Sequence, residues 1–117
     1  MSVKRIVANV AAADPARARA FYEELLDLKV VMDLGWIVTL ASEGTAAPQL
    51  SFASEGGSGT SVPDLSIEVD DVDRVYGRAK AADMEIVYDI VDEPWGVRRF
   101  YVRDPFGRVL NILAHVG

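Results

Sequence analysis

The first half of the chain opens with two periodic patterns that differ in period. Over residues 3–10 apolar and other residues alternate with a period of two, which predicts a β-strand. Asp14 and Pro15 then supply a helix N-cap and a proline at the first helical position. Apolar residues recur after them at spacings of three and four, as expected of an amphipathic helix that ends near Asp27. These residues are Ala18, Phe21, Tyr22, Leu25 and Leu26.

Three short β-branched or aromatic stretches follow, at 30–34, 36–42 and 48–54. Turn-forming residues separate them, so the pattern predicts a meander of three strands. Residues 54–63 are rich in glycine and serine, which is typical of a flexible linker.

The same order of elements returns after this break. A strand pattern at 64–70 runs into Asp71, which is placed to cap a second helix. Strand patterns follow at 85–91, 97–103 and 108–115, and Asp104-Pro105-Phe106-Gly107 fits a type I turn between the last two. The helix-opening residues Asp14 and Asp71 are 57 positions apart. The chain therefore reads as a repeat of two βαβββ modules.

This repeat predicts one α+β domain over 1–117, with module one at 1–54, a linker at 55–63 and module two at 64–117. Each module has one helix for one sheet, so the helices cover one sheet face and leave the other open and concave. The expected architecture is a half-open barrel with the helices outside.

Strand alternation predicts which side chains line the open face. Leu65, Ile67 and Val69 are expected to face the helices, so their neighbours face the other way. By the same rule the open face carries polar, aromatic and a few apolar side chains from both modules: Val7, Asn9, Gln49, Ser51, Asp64, Ser66, Glu68, Arg99, Tyr101, Arg103, Val109, Asn111, Leu113 and His115. A solvated sheet face is normally polar, so the apolar members suggest a ligand or a second chain.

Composition excludes several chemistries. The chain has no cysteine and one histidine, His115, so thiolate sites and two-histidine metal sites cannot form within it. His115 is expected to be a free surface residue, and Glu68 a solvated one. The net charge of −6 argues against nucleic-acid binding, which needs clustered cations.

The N-terminal residues run directly into the strand pattern without the apolar stretch of a signal peptide. No run approaches the roughly 20 apolar residues of a membrane span. A cytoplasmic protein is the expectation.

Several motifs together resemble the vicinal oxygen chelate superfamily of glyoxalases, bleomycin-resistance proteins and dioxygenases. They are Asp14-Pro15 with Phe21-Tyr22 and Leu25-Leu26, Glu93-Pro94-Trp95-Gly96, and Arg103-Asp104-Pro105-Phe106-Gly107. The last two are similar to the bleomycin-resistance branch in particular. The resemblance implies paired βαβββ modules around a site, commonly in a homodimer. Members of one fold nevertheless do different chemistry.

The resemblance also implies where metal-dependent members place their four ligands. In this chain those positions hold Val7, Gln49, Asp64 and Asn111. Valine cannot ligate, and two amides with one carboxylate make a weak oxygen site for a divalent metal at Gln49, Asp64 and Asn111. No cofactor is therefore expected, and glyoxalase or dioxygenase activity is doubtful.

These considerations favour a metal-independent protein that binds and sequesters a small molecule. The predicted ligand-binding residues are Asn9, Gln49, Asp64, Trp95, Arg99, Tyr101 and Asn111. The alternative is a lyase or isomerase acting on a small oxo compound, with Asp64 as general acid or base and with or without a divalent metal. A third reading is a protein-interaction module. The charge of the ligand stays open, because the acidic chain favours a cation whereas Arg99 favours an anion.

Overall fold

The structure is a computed structural model that describes residues 1–43 and 48–116. It contains two helices and eight strands. The first half holds β1 (Val3–Ala11), α1 (Pro15–Leu26), β2 (Lys29–Asp33), β3 (Ile37–Ala41) and β4 (Gln49–Ala53). The second half holds β5 (Leu65–Val69), α2 (Val72–Ala81), β6 (Ile86–Glu93), β7 (Val97–Arg103) and β8 (Val109–His115).

The two helices begin in the same way, as the repeat predicts. The Asp14 side chain accepts a hydrogen bond from the Arg17 amide at 3.3 Å, and Asp71 accepts from the Arg74 amide at 3.1 Å. Each aspartate thus satisfies an amide that the first helical turn leaves unpaired. Helix α1 ends at Asp27, which adopts the left-handed conformation (φ 55°) that aspartate tolerates better than most residues.

The chain divides into two compact units. The N-terminal unit comprises Val7–Val62 and has the strand order β2-β3-β4-β1. Neighbours β2, β3 and β4 run antiparallel, as a meander requires, and β1 pairs with β4 in parallel. Its core lies between these strands and α1, where Val38, Leu40 and Phe52 are buried against Ala18 and Tyr22 of the helix.

The C-terminal unit comprises Met1–Ile6 together with the chain from Pro63 onward. Its strand order is the start of β1, then β5-β8-β7-β6, with β5 and β8 parallel and β8, β7 and β6 antiparallel. Its core lies between the sheet and α2, where Phe100 and Ile112 are buried against Val72 and Ala79 of the helix.

The α+β class and the βαβββ order are thus confirmed in both halves of the chain. Strand limits differ from the sequence prediction by one or two residues, as strand ends commonly do. The turn at Asp104-Pro105-Phe106-Gly107 is also confirmed, since the Gly107 amide donates to the Asp104 carbonyl at 3.1 Å and Gly107 has a φ of 84°.

The glycine-rich segment between the modules makes more hydrogen bonds than its composition predicts. The Gly56 amide donates to the Thr60 carbonyl at 2.7 Å, and the Thr60 hydroxyl donates to the Gly57 carbonyl at 2.8 Å. Glycine allows the positive φ of 86° at Gly57 that closes this loop. The segment therefore forms a compact turn. No helix among the described residues is long and apolar enough to cross a membrane.

Candidate functional site

The sheet of the C-terminal unit has one face against α2 and one face turned away from it. Phe100, Val102 and Ile112 pack toward α2, so the residues alternating with them occupy the opposite face. We call this opposite surface the site face. Its members on β5, β7 and β8 are Ser66, Glu68, Arg99, Tyr101, Asn111 and Leu113. Two cross-strand rows order them, one of Ser66, Asn111 and Tyr101, the other of Glu68, Leu113 and Arg99.

A buried ion pair lies at one end of the site face. The Arg99 Nε and Nη2 atoms lie 2.7 Å and 2.6 Å from Glu93 Oε2, and the two side chains are only 3% and 4% exposed. The Tyr88 hydroxyl donates to the same carboxylate oxygen at 3.2 Å. Removing either partner would leave a buried charge uncompensated, which typically costs about 3–5 kcal/mol.

Three aromatic rings surround the Arg99 guanidinium. Its central carbon lies 4.9 Å from the ring centres of Trp95 and Tyr101 and 5.3 Å from that of Tyr88. These distances are within the range at which a cation is attracted to the face of a ring. Trp95 reaches this position from the tight turn between β6 and β7, where Gly96 has a φ of 88°. Arg99 therefore occupies a cage built from three rings and one carboxylate.

Asn111 is the buried amide in the centre of the site face. It is 7% exposed, and its Nδ2 atom donates to the Ser66 hydroxyl at 3.1 Å. Among the residues that the structure describes, its Oδ1 atom has no hydrogen-bond partner. The two ends of an asparagine amide can exchange places and Ser66 can bond to either, so one end remains unpartnered in both orientations. A buried polar atom of this kind typically costs about 1–3 kcal/mol.

A second charged cluster lies in the row of the site face that also holds Arg99. Glu68 lies 3.3 Å from Arg5 Nε through one carboxylate oxygen and 2.9 Å from His115 Nδ1 through the other. The Glu68 side chain is 16% exposed and that of His115 57%. The expectation of a solvated Glu68 and a free His115 is therefore wrong. Three strands contribute to this cluster, so strand pairing across 47 residues brings the carboxylate to the imidazole.

Asp64 lies just before β5 and interacts with the start of β8. Its Oδ2 atom accepts a hydrogen bond from the Val109 amide at 2.8 Å, while its Oδ1 atom lies 3.9 Å from Arg108 Nη1. Its side chain is partly exposed. Asp64 therefore connects the start of β8 to the residue that precedes β5. These contacts involve neither the aromatic cage nor Asn111.

Two further arginines of β7 are also paired with carboxylates. Arg98 pairs with Asp73 and Asp92 on the helix side of the sheet, and the hydrogen bonds that it donates to Asp73 raise its pKa. Arg103, expected on the open face, pairs with Glu85 at 3.1 Å. The arginines of β7 are thus each matched by a nearby carboxylate.

Asn9 and Gln49, the remaining predicted ligand contacts, belong to the N-terminal unit. Asn9 on β1 is aligned with Ser51 on β4, and Gln49 at the start of β4 is aligned with Ala41 on β3. Ser51 and Thr39 join their hydroxyl groups at 2.7 Å on the face away from α1. This row is polar and small, without the rings and charges of the C-terminal unit.

The positions implied for a metal do not supply a suitable donor set. Val7 has no donor atom, Asp64 already accepts from the Val109 amide, and Asn111 bonds to Ser66. Among the described residues, no group of three histidine, cysteine, aspartate or glutamate side chains could hold a metal ion. Divalent metals favour imidazole, thiolate or several carboxylates, so these residues do not fit the metal of the metal-dependent relatives.

Sequence reasoning missed Glu93 and Tyr88. Glu93 lies beyond the predicted end of its strand at residue 91, but its alignment with Val97 across a tight turn puts it on the same face as Arg99. Counting alternate positions back from Arg99 through Val97 and across the turn leads to Glu93, so strand alternation could have found it. Tyr88 gave none, because bulges on both sides of it shift the alternation of β6.

Comparison with known proteins identifies the class. The sequence model of the Glyoxalase/Bleomycin resistance protein/Dioxygenase superfamily matches residues 3–112. The chain therefore belongs to this superfamily, as its motifs predict. No curated protein matches it in sequence.

Solved structures share the fold at low identity. A superfamily member from Vibrio splendidus is 21% identical, with a TM-score of 0.67 over 97% of this chain and 99% of that one. Methylmalonyl-CoA epimerase from Mycobacterium tuberculosis is 18% identical, with a TM-score of 0.69 over 95% and 87%. A structure described as NAD-dependent benzaldehyde dehydrogenase from Legionella pneumophila is 17% identical, with a TM-score of 0.79 over 95% and 99%. At these identities the likeness establishes the fold alone.

Proposed function

We propose that this protein binds and sequesters a small organic molecule on the site face of the C-terminal unit, without a resident metal. The observation that carries the proposal is the buried Asn111 amide, one end of which lacks a hydrogen-bond partner among the described residues. A ligand that pairs with this end would recover the hydrogen bond that the ligand-free protein leaves unmade.

The surroundings of Asn111 support a binding role. Tyr101 is its direct cross-strand neighbour, and the Tyr101 ring lies 5.2 Å from that of Tyr88. Rings beside a few placed polar groups are the usual composition of a small-molecule site. Asn9 and Gln49 of the N-terminal unit remain proposed additional contacts, and a cytoplasmic homodimer remains the proposed form of the protein.

The test is a screen of aromatic fragments by ligand-observed NMR, followed by titration of the hits into two variants. Asn111→Leu removes the amide at similar volume, and we expect it to weaken binding by about 5- to 100-fold, the equivalent of one buried hydrogen bond. The unfolding free energy should change little, because the unpartnered polar atom is lost as well.

Ile112→Val is the matched control, since it alters the neighbouring residue on the α2 side of the same strand. It should keep fragment affinity while losing about 0.5–1.5 kcal/mol of stability. The proposal fails if no fragment binds the wild-type protein, or if Asn111→Leu binds the hits as tightly as Ile112→Val does.

One contact favours an enzymatic alternative, a lyase or isomerase acting on a small oxo compound. The Glu68 carboxylate lies 2.9 Å from His115 Nδ1, and a carboxylate that orients an imidazole is a common arrangement in acid–base catalysis. Asp64, the acid or base expected from sequence, is the second candidate group for proton transfer.

Conversion of oxo acids, followed by NMR, tests the alternative with Asp64→Asn and His115→Gln. Loss of conversion in a variant that still folds would assign the proton transfer to that residue. Absence of conversion by the wild-type protein across the oxo acids supplied would count against catalysis.

A further inference from the structure

We infer that the site face selects an uncharged ligand with an amide-like edge on a planar ring. This inference rests on the proposed function and names the class of molecule that the same site takes. The acidic chain favours a cationic ligand and Arg99 favours an anionic one, whereas the paired charges of the site face favour neither.

The positive charge of Arg99 is already compensated. Its Nε and Nη2 atoms both contact Glu93 Oε2 within 2.7 Å, and both side chains are almost fully buried. An anion entering beside this pair would give up its water without gaining a net positive charge. Arg99 therefore does not act as an anion receptor.

The aromatic rings do not favour the binding of a cation either. Trp95, Tyr88 and Tyr101 already surround the Arg99 guanidinium at 4.9–5.3 Å. A second cation would meet the like charge of that guanidinium at close range, and like charges held in a poorly solvated place repel strongly. The cage is occupied by a group of the protein itself.

Three other charged side chains at this sheet also have partners of opposite sign. Glu68 lies 3.3 Å from Arg5, Asp64 lies 3.9 Å from Arg108, and Arg103 lies 3.1 Å from Glu85. The strands that carry Asn111 and its neighbours thus offer paired charges, which favours an uncharged ligand over either kind of ion.

Asn111 defines the polar edge of that ligand. One end of its amide bonds to Ser66 and the other is unpartnered among the described residues. Because the two ends can exchange, the ligand group that fits both orientations carries a donor and an acceptor side by side. A carboxamide or a lactam has this edge, and a ring bearing it would lie next to Tyr101.

Three probes of one shape and different charge test the inference: benzamide, benzoate and benzamidinium. Titrations followed by ligand-observed NMR should show benzamide binding the wild-type protein at least tenfold tighter than either ion. Asn111→Leu should reduce this preference. A wild-type protein that binds benzoate or benzamidinium as tightly as benzamide overturns the inference and leaves the proposed function intact.

Breaking the ion pair should change the preference in a defined direction. Glu93→Gln leaves Arg99 uncompensated, so benzoate affinity should rise at least tenfold, whereas Arg99→Gln should raise benzamidinium affinity instead. The double variant Glu93→Leu with Arg99→Leu removes both charges and guards against poor folding of the single variants, since a buried pair often tolerates apolar replacement. It should lack the rise in benzoate affinity that Glu93→Gln shows.

Equal changes for all three probes in Glu93→Gln would show that the pair supports the fold without selecting charge. Failure of every probe to bind the wild-type protein or any variant counts against the site itself, and so against the proposed function as well.

Discussion

The two modules repeat one scaffold but carry different chemistry on the sheet face that turns away from the helix. In the N-terminal unit, the hydroxyl groups of Thr39 and Ser51 share one hydrogen bond of 2.7 Å. In the C-terminal unit, the corresponding surface holds a caged arginine and the buried amide of Asn111. The helix side is similar in both, with a tyrosine of the helix against a buried phenylalanine.

The two units thus share the face that packs on the helix and differ in the opposite one. Both copies keep the capping aspartate and the apolar face that the fold needs, so these features carry no information about the ligand. The opposite face is where the two units differ, with a hydrogen-bonded pair of hydroxyl groups in one and rings and charges in the other. The C-terminal unit is therefore where we place the proposed binding site.

The largest expected effect comes from breaking the buried ion pair. Arg99→Leu leaves the Glu93 carboxylate buried without its cation, so the free energy of unfolding should fall by about 3–5 kcal/mol. Urea denaturation followed by circular dichroism measures this loss. Arg98→Leu is the matched control, because its neighbouring guanidinium forms more exposed ion pairs with Asp73 and Asp92 and should cost no more than about 1 kcal/mol. Similar losses in both variants would show that the Arg99 pair has no special weight.

An intermediate effect is expected from the hydroxyl pair of the N-terminal unit. A double-mutant cycle with Thr39→Val and Ser51→Ala should give a coupling energy of about 1 kcal/mol in urea denaturation, the usual net value of one hydrogen bond. Neither change should alter the preference for benzamide over benzoate. A shift in that preference would mean that the row of Thr39 and Ser51 in the N-terminal unit also determines which ligand binds.

The smallest effect concerns an exposed pair on the helix side of the C-terminal unit. The Tyr76 hydroxyl donates to Asp89 at 2.6 Å, which lowers the pKa of Asp89 and raises the pKa of Tyr76. The stability from the lowered carboxyl pKa is present above about pH 4 and is lost as the pH falls through the folded-state value. The stability from the raised tyrosine pKa is present below about pH 10 and is lost as the pH rises through its folded-state value.

Tyr76→Phe should therefore be less stable than the wild-type protein near neutral pH, and the difference should shrink at both extremes. Thermal unfolding across the pH range measures it. Tyr22→Phe, the change on the helix of the other unit, is the control, and its stability difference should not follow a carboxyl titration. A constant difference between Tyr76→Phe and wild type at all pH values would contradict this account.

Sequence patterns were sufficient for the elements and for much of the face assignment. Alternation alone placed Arg99, Tyr101 and Asn111 opposite Phe100, because β7 and β8 are regular. It could not reveal that Arg99 is neutralised, since that depends on the turn that brings Glu93 back over the same face. Nor could it place Tyr88, where bulges interrupt the alternation.

The pairing of Glu68 with His115 was out of reach for a different reason. The two residues are 47 positions apart, and only the parallel alignment of β5 with β8 makes them neighbours. A sequence pattern reports which face a residue occupies, whereas the partner on that face depends on the order of strands.

The division of β1 has a consequence for how the chain is made. Ser2 and Asp70 exchange two hydrogen bonds, at 2.8 Å and 3.1 Å, across 68 residues of sequence. On a ribosome the first strand therefore emerges long before the strand that holds its beginning, while its later residues can already pair with β4. The pairing of this one continuous strand is thus completed in two stages. The C-terminal unit, which contains the caged arginine, can form only after its later residues have been synthesised and have paired with the first residues of the chain.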